Sequence, residues 1–289
     1  MTIEKTAVSC CSRYRPIHGV DRLTIWTDRT VSEAELEELH EHCTDLKVKH
    51  GQPKFQANRK CKLELFQPSR ECLCLLRQIL GAEINADLTY VELARDVTST
   101  KAMRMALRSV FLGAVKVPHQ RSCFIKYEGT YYCGDRRSEN DGRDGCVLAL
   151  YTDRSSKINN ARPEAGAMKC FHVELRLSGK AALAKHGIRS LDDLIHFNHK
   201  QHWQTSLKFY VLPSKTELGR LLAACCGGRM DASDTAYLKR ANRWLEKHSL
   251  DGQFIMHNAL KATPELERRL AQTDWSSLLE SAKKLIQSY

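Results

Sequence analysis

Three segments alternate apolar and polar residues with a period of two: Cys61-Lys-Leu-Glu-Leu-Phe-Gln67, Leu88-Thr-Tyr-Val-Glu-Leu-Ala-Arg-Asp-Val97 and Cys170-Phe-His-Val-Glu-Leu-Arg-Leu177. Successive side chains of a strand point to opposite sides, so each segment presents one apolar face and one polar face. Leu63 and Leu65, Val91 and Leu93, and Val173, Leu175 and Leu177 line the apolar faces. Lys62, Glu64 and Phe66, Tyr90, Glu92 and Ala94, and His172, Glu174 and Arg176 line the others. Strands of this kind belong in an antiparallel sheet that helices cover on one side.

Helix signals fall between the strands. Ser32 with Glu35 forms a capping box at the start of a stretch running to Cys43, and Ser69 caps Glu71 to Leu80 before Gly81. Lys101 to Leu112, Lys180 to Lys185 and Ser190 to His196 also read as helical. Leu23 to Trp26, Cys123 to Cys133 and Cys146 to Tyr151 are further β-prone runs, joined by turn-rich links such as Gly134-Asp135 and Ser138 to Gly145. From about Lys215 onward strand signals stop, and helical periodicity runs through Glu217 to Cys225, Asp234 to His248, Pro264 to Gln272 and Trp275 to Gln287. The expected fold class is α+β. It consists of a mainly antiparallel sheet with helices packed on one face, in two ferredoxin-like halves over residues 1–212, plus a helical C-terminal module over 213–289.

Charge narrows the partners. The 289 residues carry 45 Lys+Arg against 34 Asp+Glu, a formal +11, so the mean field attracts polyanions. No run reaches the roughly 18 apolar residues of a membrane span, and Met1 to Tyr14 lacks a signal-peptide core, so a cytoplasmic address and no membrane partner are expected. The 12 cysteines include no Cys-x-x-Cys pair, which suits reduced, mostly buried thiols better than zinc or disulfides.

Glu64, Glu92 and Glu174 are each central on a polar strand face, and three carboxylates converging there could hold Mg2+ or Mn2+. Asp96 lies four strand residues beyond Glu92, roughly 13 Å away, so one ion reaches both only if the strand bends. Tyr151 ends the run from Gly145, on the same face as Val147 and Ala149, and by pattern alone it reads as a strand-end packing residue. Arg136, Arg137 and Arg154 lie in the turns on either side of it and are candidate phosphate contacts. His172 could act as a base, although a lone strand histidine is more often structural. His196, His199 and His202 stand three apart without a zinc spacing, and Lys239, Arg240 and Arg243 flank an apolar stripe on a basic helix suited to DNA recognition or an oligomer contact.

The succession of segments resembles the replication initiation factor family, the rolling-circle initiators of small plasmids with related phage and conjugative relaxases. Leu63-Glu-Leu-Phe-Gln-Pro68 resembles the family's Ile-Glu-Phe-Asn-Pro, and Tyr90-Val-Glu-Leu-Ala-Arg-Asp96 its Arg-Leu-Asp-Leu-Ala-x-Asp. Thr130-Tyr-Tyr-Cys-Gly-Asp-Arg-Arg-Ser138 resembles its Thr-x-Tyr-x-Gly-x-Arg-x-Ser, Leu148-Ala-Leu-Tyr151 its Ile-Arg-Ile-Tyr, and Val173-Glu-Leu-Arg-Leu177 its Val-Glu-x-x-Leu. The likeness spans about Leu23 to Leu177; each motif is degenerate, and their order is the specific part. It implies a metal-dependent DNA nicking-joining enzyme that starts rolling-circle replication. Tyr151 would be the nucleophile that forms a 5′-phosphotyrosyl link, and Glu64, Glu92, Glu174 and Asp96 would be the ligands of Mg2+ or Mn2+. Origin DNA, as duplex and as single strand, is the implied partner, with a host helicase and a second copy of the chain left open. A conjugative relaxase, or a non-catalytic DNA-binding regulator on the same fold, is the alternative.

Overall fold

A computed structural model describes residues 16–51, 59–81, 86–118, 124–134, 144–158, 167–211 and 270–287. The first half is a β-α-β-β-α-β succession of β1 (Ile17–Thr27), α1 (Glu33–Glu41), β2 (Asp45–His50), β3 (Cys61–Phe66), α2 (Arg70–Leu80) and β4 (Ala86–Thr98). Its strands lie in the order β2-β3-β1-β4, every neighbour antiparallel, which is a ferredoxin-like half. Helix α3 (Lys101–Ala114) and the short β5 (Val115–Lys116) follow. Then β6 (Ile125–Tyr127), β7 (Thr130–Cys133), β8 (Gly145–Tyr151) and β9 (Cys170–Ser178) run as neighbours, and β9 pairs with β4. One eight-stranded antiparallel sheet results, with the two halves meeting at the β4–β9 seam.

The alternation sorts the sheet faces. Leu23, Leu63, Leu65, Val91, Leu93, Leu148, Leu150, Val173, Leu175 and Leu177 are buried and join Leu39, Leu76, Phe111, Leu183, Leu194 and Trp203 of the helices in one core. Helices start at the expected caps Ser32 and Ser69, and Thr100 caps a third. Ser32 with Glu35 makes a complete capping box, and the side chains of Ser69 and Thr100 accept from the main-chain N–H groups of Cys72 and Met103. Three shorter helices, α4 (Lys180–Lys185), α5 (Leu191–Ile195) and α6 (His199–Thr205), follow β9.

Two segments differ from expectation. Of the expected Cys123 to Cys133 run, the described residues 124–133 are not one strand: Glu128 and Gly129, with φ of 45° and 82°, turn the chain into the β6–β7 hairpin. The short charged edge strand β2 gave no clear sequence signal, and edge strands often carry lysines, here Lys47 and Lys49. Of the expected C-terminal module, residues 212–269 lie outside the described residues. The described remainder packs into the same core. Strand β11 (Gln272–Thr273) pairs with β10 (Lys208–Tyr210), which also pairs with β5, and α7 (Trp275–Gln287) lies on α3. Trp275 packs against Phe111, Phe209 and Trp203 and donates its indole N–H to the Trp203 carbonyl at 2.7 Å. Among the described residues no helix is long and apolar enough to cross a membrane.

Candidate functional site

The strand register lines up the polar face in rows across the seam. Tyr151, His172 and Asp96 stand opposite one another on β8, β9 and β4, and one row along come Ala149, Glu174 and Ala94. The third row is Val147, Arg176, Glu92 and Arg22. His172 links the first two rows: Nδ1 lies 2.5 Å from Asp96 Oδ1, and Nε2 lies 2.9 Å from Glu174 Oε2. With both carboxylates ionised their oxygens only accept, so both ring nitrogens donate and the imidazole carries the charge. Arg176 holds the other oxygen of Glu174 through Nε at 2.6 Å and reaches Glu92 at 3.6 Å, while the Tyr90 hydroxyl donates to Glu92 at 2.6 Å.

Tyr151 lies flat on this network. Its ring stacks on His172 with centroids 4.1 Å apart and planes 19° from parallel, and the Arg154 guanidinium sits 5.0 Å from the ring centroid. The turn that carries both is fastened from behind. Arg104 of α3, 8% exposed, donates to the carbonyls of Thr152 at 2.8 Å, Ser99 at 2.6 Å and Lys169 at 3.4 Å. Those carbonyls lie just beyond the ends of β8, β4 and β9 that bear Tyr151, Asp96 and His172. Cys170 adds a second tie, its N–H and thiol both donating to the Arg154 carbonyl at 2.8 and 3.2 Å.

A further carboxylate enters through a β-bulge. Val20 pairs with Leu93 and Arg22 with Glu92, leaving Asp21 as the extra residue of β1. Gln67, at the end of β3 with φ of 44°, donates its side-chain amide to the carboxylate of Asp21 at 2.6 Å and to its carbonyl at 3.1 Å. The bulge turns Asp21 toward the seam. Donor atoms of Asp21, His172 and Glu174 lie within 4.8 Å of one another, as do those of Asp96, Cys170 and His172. Asp96 is fully buried, and its Oδ2 has no hydrogen-bond partner.

Electrostatics follow from burial and these partners. Desolvation works against charge on His172, yet its bonds to Asp96, Cys170 and Glu174 carry it well above the ordinary imidazole value. Desolvation likewise opposes ionisation of Glu174, but Arg176 and His172 bring its carboxyl down to about 2. Glu92 goes the other way, to about 8, because of burial and the charge of Glu174, with Arg176 opposing. Burial and Glu174 also raise Asp21. The Tyr151 phenol is pushed far up by burial, then by Glu174, Asp21 and Asp96, with Arg154 acting against them.

Four of the expected residues therefore meet or nearly meet: Tyr151, Asp96 and Glu174 through His172, and Arg154 over the phenol. Glu92 stands one row off with Arg176 and Tyr90. Glu64 is a correction, because β1 and β4 separate it from β9, and it pairs instead with Arg22 at 3.2 Å and with Lys62. From its segment it is Gln67 that reaches the site. The three strand glutamates do not converge; the acids that gather around His172 are Asp96, Glu174 and Asp21. Asp21 and Cys170 are not among the residues expected from sequence, and His172, a possible base there, is the buried side chain that joins Asp96 to Glu174. Arg136, Arg137, Lys239, Arg240 and Arg243 lie outside the described residues. No family model matches the chain, and no curated protein matches it.

Proposed function

We propose that the chain is a metal-dependent DNA nicking-joining enzyme that initiates rolling-circle replication, with Tyr151 as nucleophile. The observation that carries this reading is the stacking of Tyr151 on a histidine clamped between two buried carboxylates, with an arginine over the ring. Asp21, Glu174 and His172 Nε2 fit a divalent ion: two carboxylates and an imidazole favour Mn2+ over Mg2+, and Asp96 on Nδ1 would orient the ring as a carboxylate does behind many metal-bound histidines. Such an ion would offset the carboxylates that hold the phenol proton in place, and would polarise a phosphate beside it.

The chain's own residues supply the rest. Arg154 is placed to grip a phosphate at the phenol and to favour phenolate. Tyr151 Oη would give its proton to solvent and attack phosphorus, the P–O3′ bond would break, and the departing 3′ oxygen would take a proton from solvent to become a 3′-OH primer. The 5′-phosphotyrosyl link keeps the bond energy, so the same site can rejoin the strand.

The test is a denaturing gel of protein incubated with single-stranded DNA spanning its origin and Mn2+. A covalent adduct should appear and map to Tyr151 by mass spectrometry, and Y151F should lower it by at least ~100-fold. Undiminished nicking by Y151F would refute the nucleophile. Salt-sensitive DNA binding without any adduct would favour the non-catalytic regulator.

A further inference from the structure

The imidazole of His172 has two faces. Nε2 lies on Glu174, which with Asp21 and this ring makes an oxygen-rich set. Nδ1 lies on Asp96, and Asp96 and Cys170 with this ring make a second set whose donors are carboxylate, imidazole and thiol, all three side chains buried. The orphaned Asp96 Oδ2 adds a buried acceptor with no partner. Hard cations do not seek thiol sulfur, whereas Zn2+ and Co2+ bind sulfur, imidazole and carboxylate together in small closed sites.

We infer that Asp96, Cys170 and His172 Nδ1 form a second, soft-metal site that takes Zn2+ or Co2+ and switches the outer site off. This rests on the outer site being the working one. When the ion enters, Cys170 gives up its thiol proton and His172 its Nδ1 proton, both to solvent, and the thiolate and imidazole nitrogen become ligands. The switch follows from proton bookkeeping on one ring: a neutral imidazole has one lone pair and one N–H. Ligation through Nδ1 leaves Nε2 protonated, donating to Glu174, so the outer site loses its nitrogen ligand. Ligation through Nε2 leaves Nδ1–H on Asp96 and closes the inner site. While the ring keeps one proton, the two ions are mutually exclusive.

The test uses the full chain and the metals alone. Co2+ titrated into the protein should give the near-ultraviolet band of thiolate-to-metal charge transfer, and Zn2+ should erase it. C170S should remove the band and weaken Zn2+ by at least ~10-fold while leaving Mn2+ affinity within a factor of about three. In the parent protein, saturating Zn2+ should raise the apparent Kd for Mn2+ by at least ~10-fold, and in C170S it should not. A band that survives C170S, or Zn2+ and Mn2+ that bind without affecting each other, would overturn the inference. The spectrum of the unmodified protein needs no variant to fold, and none of these readings depends on DNA cleavage, so a failure of the nicking proposal would be seen separately.

Discussion

Glu92 is 6% exposed, and its carboxyl is lifted to about 8 by burial and by the charge of Glu174. Below that value the folded protein keeps a proton on Glu92 that the unfolded chain releases near its ordinary value of 4.5. Between those values the native state binds more protons than the unfolded one, so stability falls as pH rises from about 5 to 8. At ~1.4 kcal/mol per unit of difference, the effect is on the order of a few kcal/mol. E92Q keeps the shape and the acceptor for the Tyr90 hydroxyl but cannot ionise. Urea unfolding at pH 5 and pH 8 should show the parent losing stability and E92Q losing much less; equal slopes would remove Glu92 as the cause. The same scale explains what the sequence hid. Strict alternation placed Glu64, Glu92 and Glu174 on one face, and the structure agrees on the face. It does not bring them together, because face says nothing about which strands are neighbours or which rows are level. Asp21 was hidden by the bulge. Val20 and Leu23 are both buried, three apart, and that break in period two was the one trace of it in the sequence.

The elements that matter most to the site are strand ends, and α3 holds three of them through one side chain. Arg104 acts through its donors, which go to the carbonyls of Ser99, Thr152 and Lys169. The Lys169 carbonyl also accepts from the Ser99 N–H at 3.3 Å, so R104M keeps the length and the packing but takes this donor from the carbonyls of Ser99 and Thr152; at roughly 1–3 kcal/mol each, a loss of about 3 kcal/mol is expected in urea unfolding. R104K should recover part of it, since an ammonium can reach some but not all of a fork-shaped set. A loss below about 1 kcal/mol for R104M would mean the carbonyls find other partners. In sequence, Arg104 is one cation in Lys101-Ala-Met-Arg-Met-Ala-Leu107 and reads as a solvent-facing helix residue. Its burial depends on strands arriving from 48 and 65 residues downstream, which no local pattern carries. The helices themselves were legible because their caps are local: Ser32, Ser69, Thr100 and Ser190 all bond within three residues.

At the scale of the molecule, the formal charge of +11 is an average, and several cations of the site's own face are already paired. Arg22 and Lys62 are tied to Glu64, and Arg176 to Glu174 and Glu92. Among the described residues of the segment joining β8 to β9, Arg154 at the Tyr151 ring, Lys157 and Lys169 are exposed cations. A DNA strand reaching the phenol would pass these three, so they, more than the global charge, should set the electrostatics of binding. Each phosphate neutralised on a single strand releases condensed counterions and adds about −0.7 to the slope of log K against log salt. Replacing Lys157 and Lys169 by glutamine should therefore flatten the slope by roughly 1.4, with a uniform loss of affinity across sequences, since phosphate contacts carry no base information. Fluorescence anisotropy with a labelled single strand between low and physiological salt measures both. An unchanged slope would place the strand elsewhere on the protein, away from Tyr151. An affinity flat in salt for the parent itself would remove DNA as the partner.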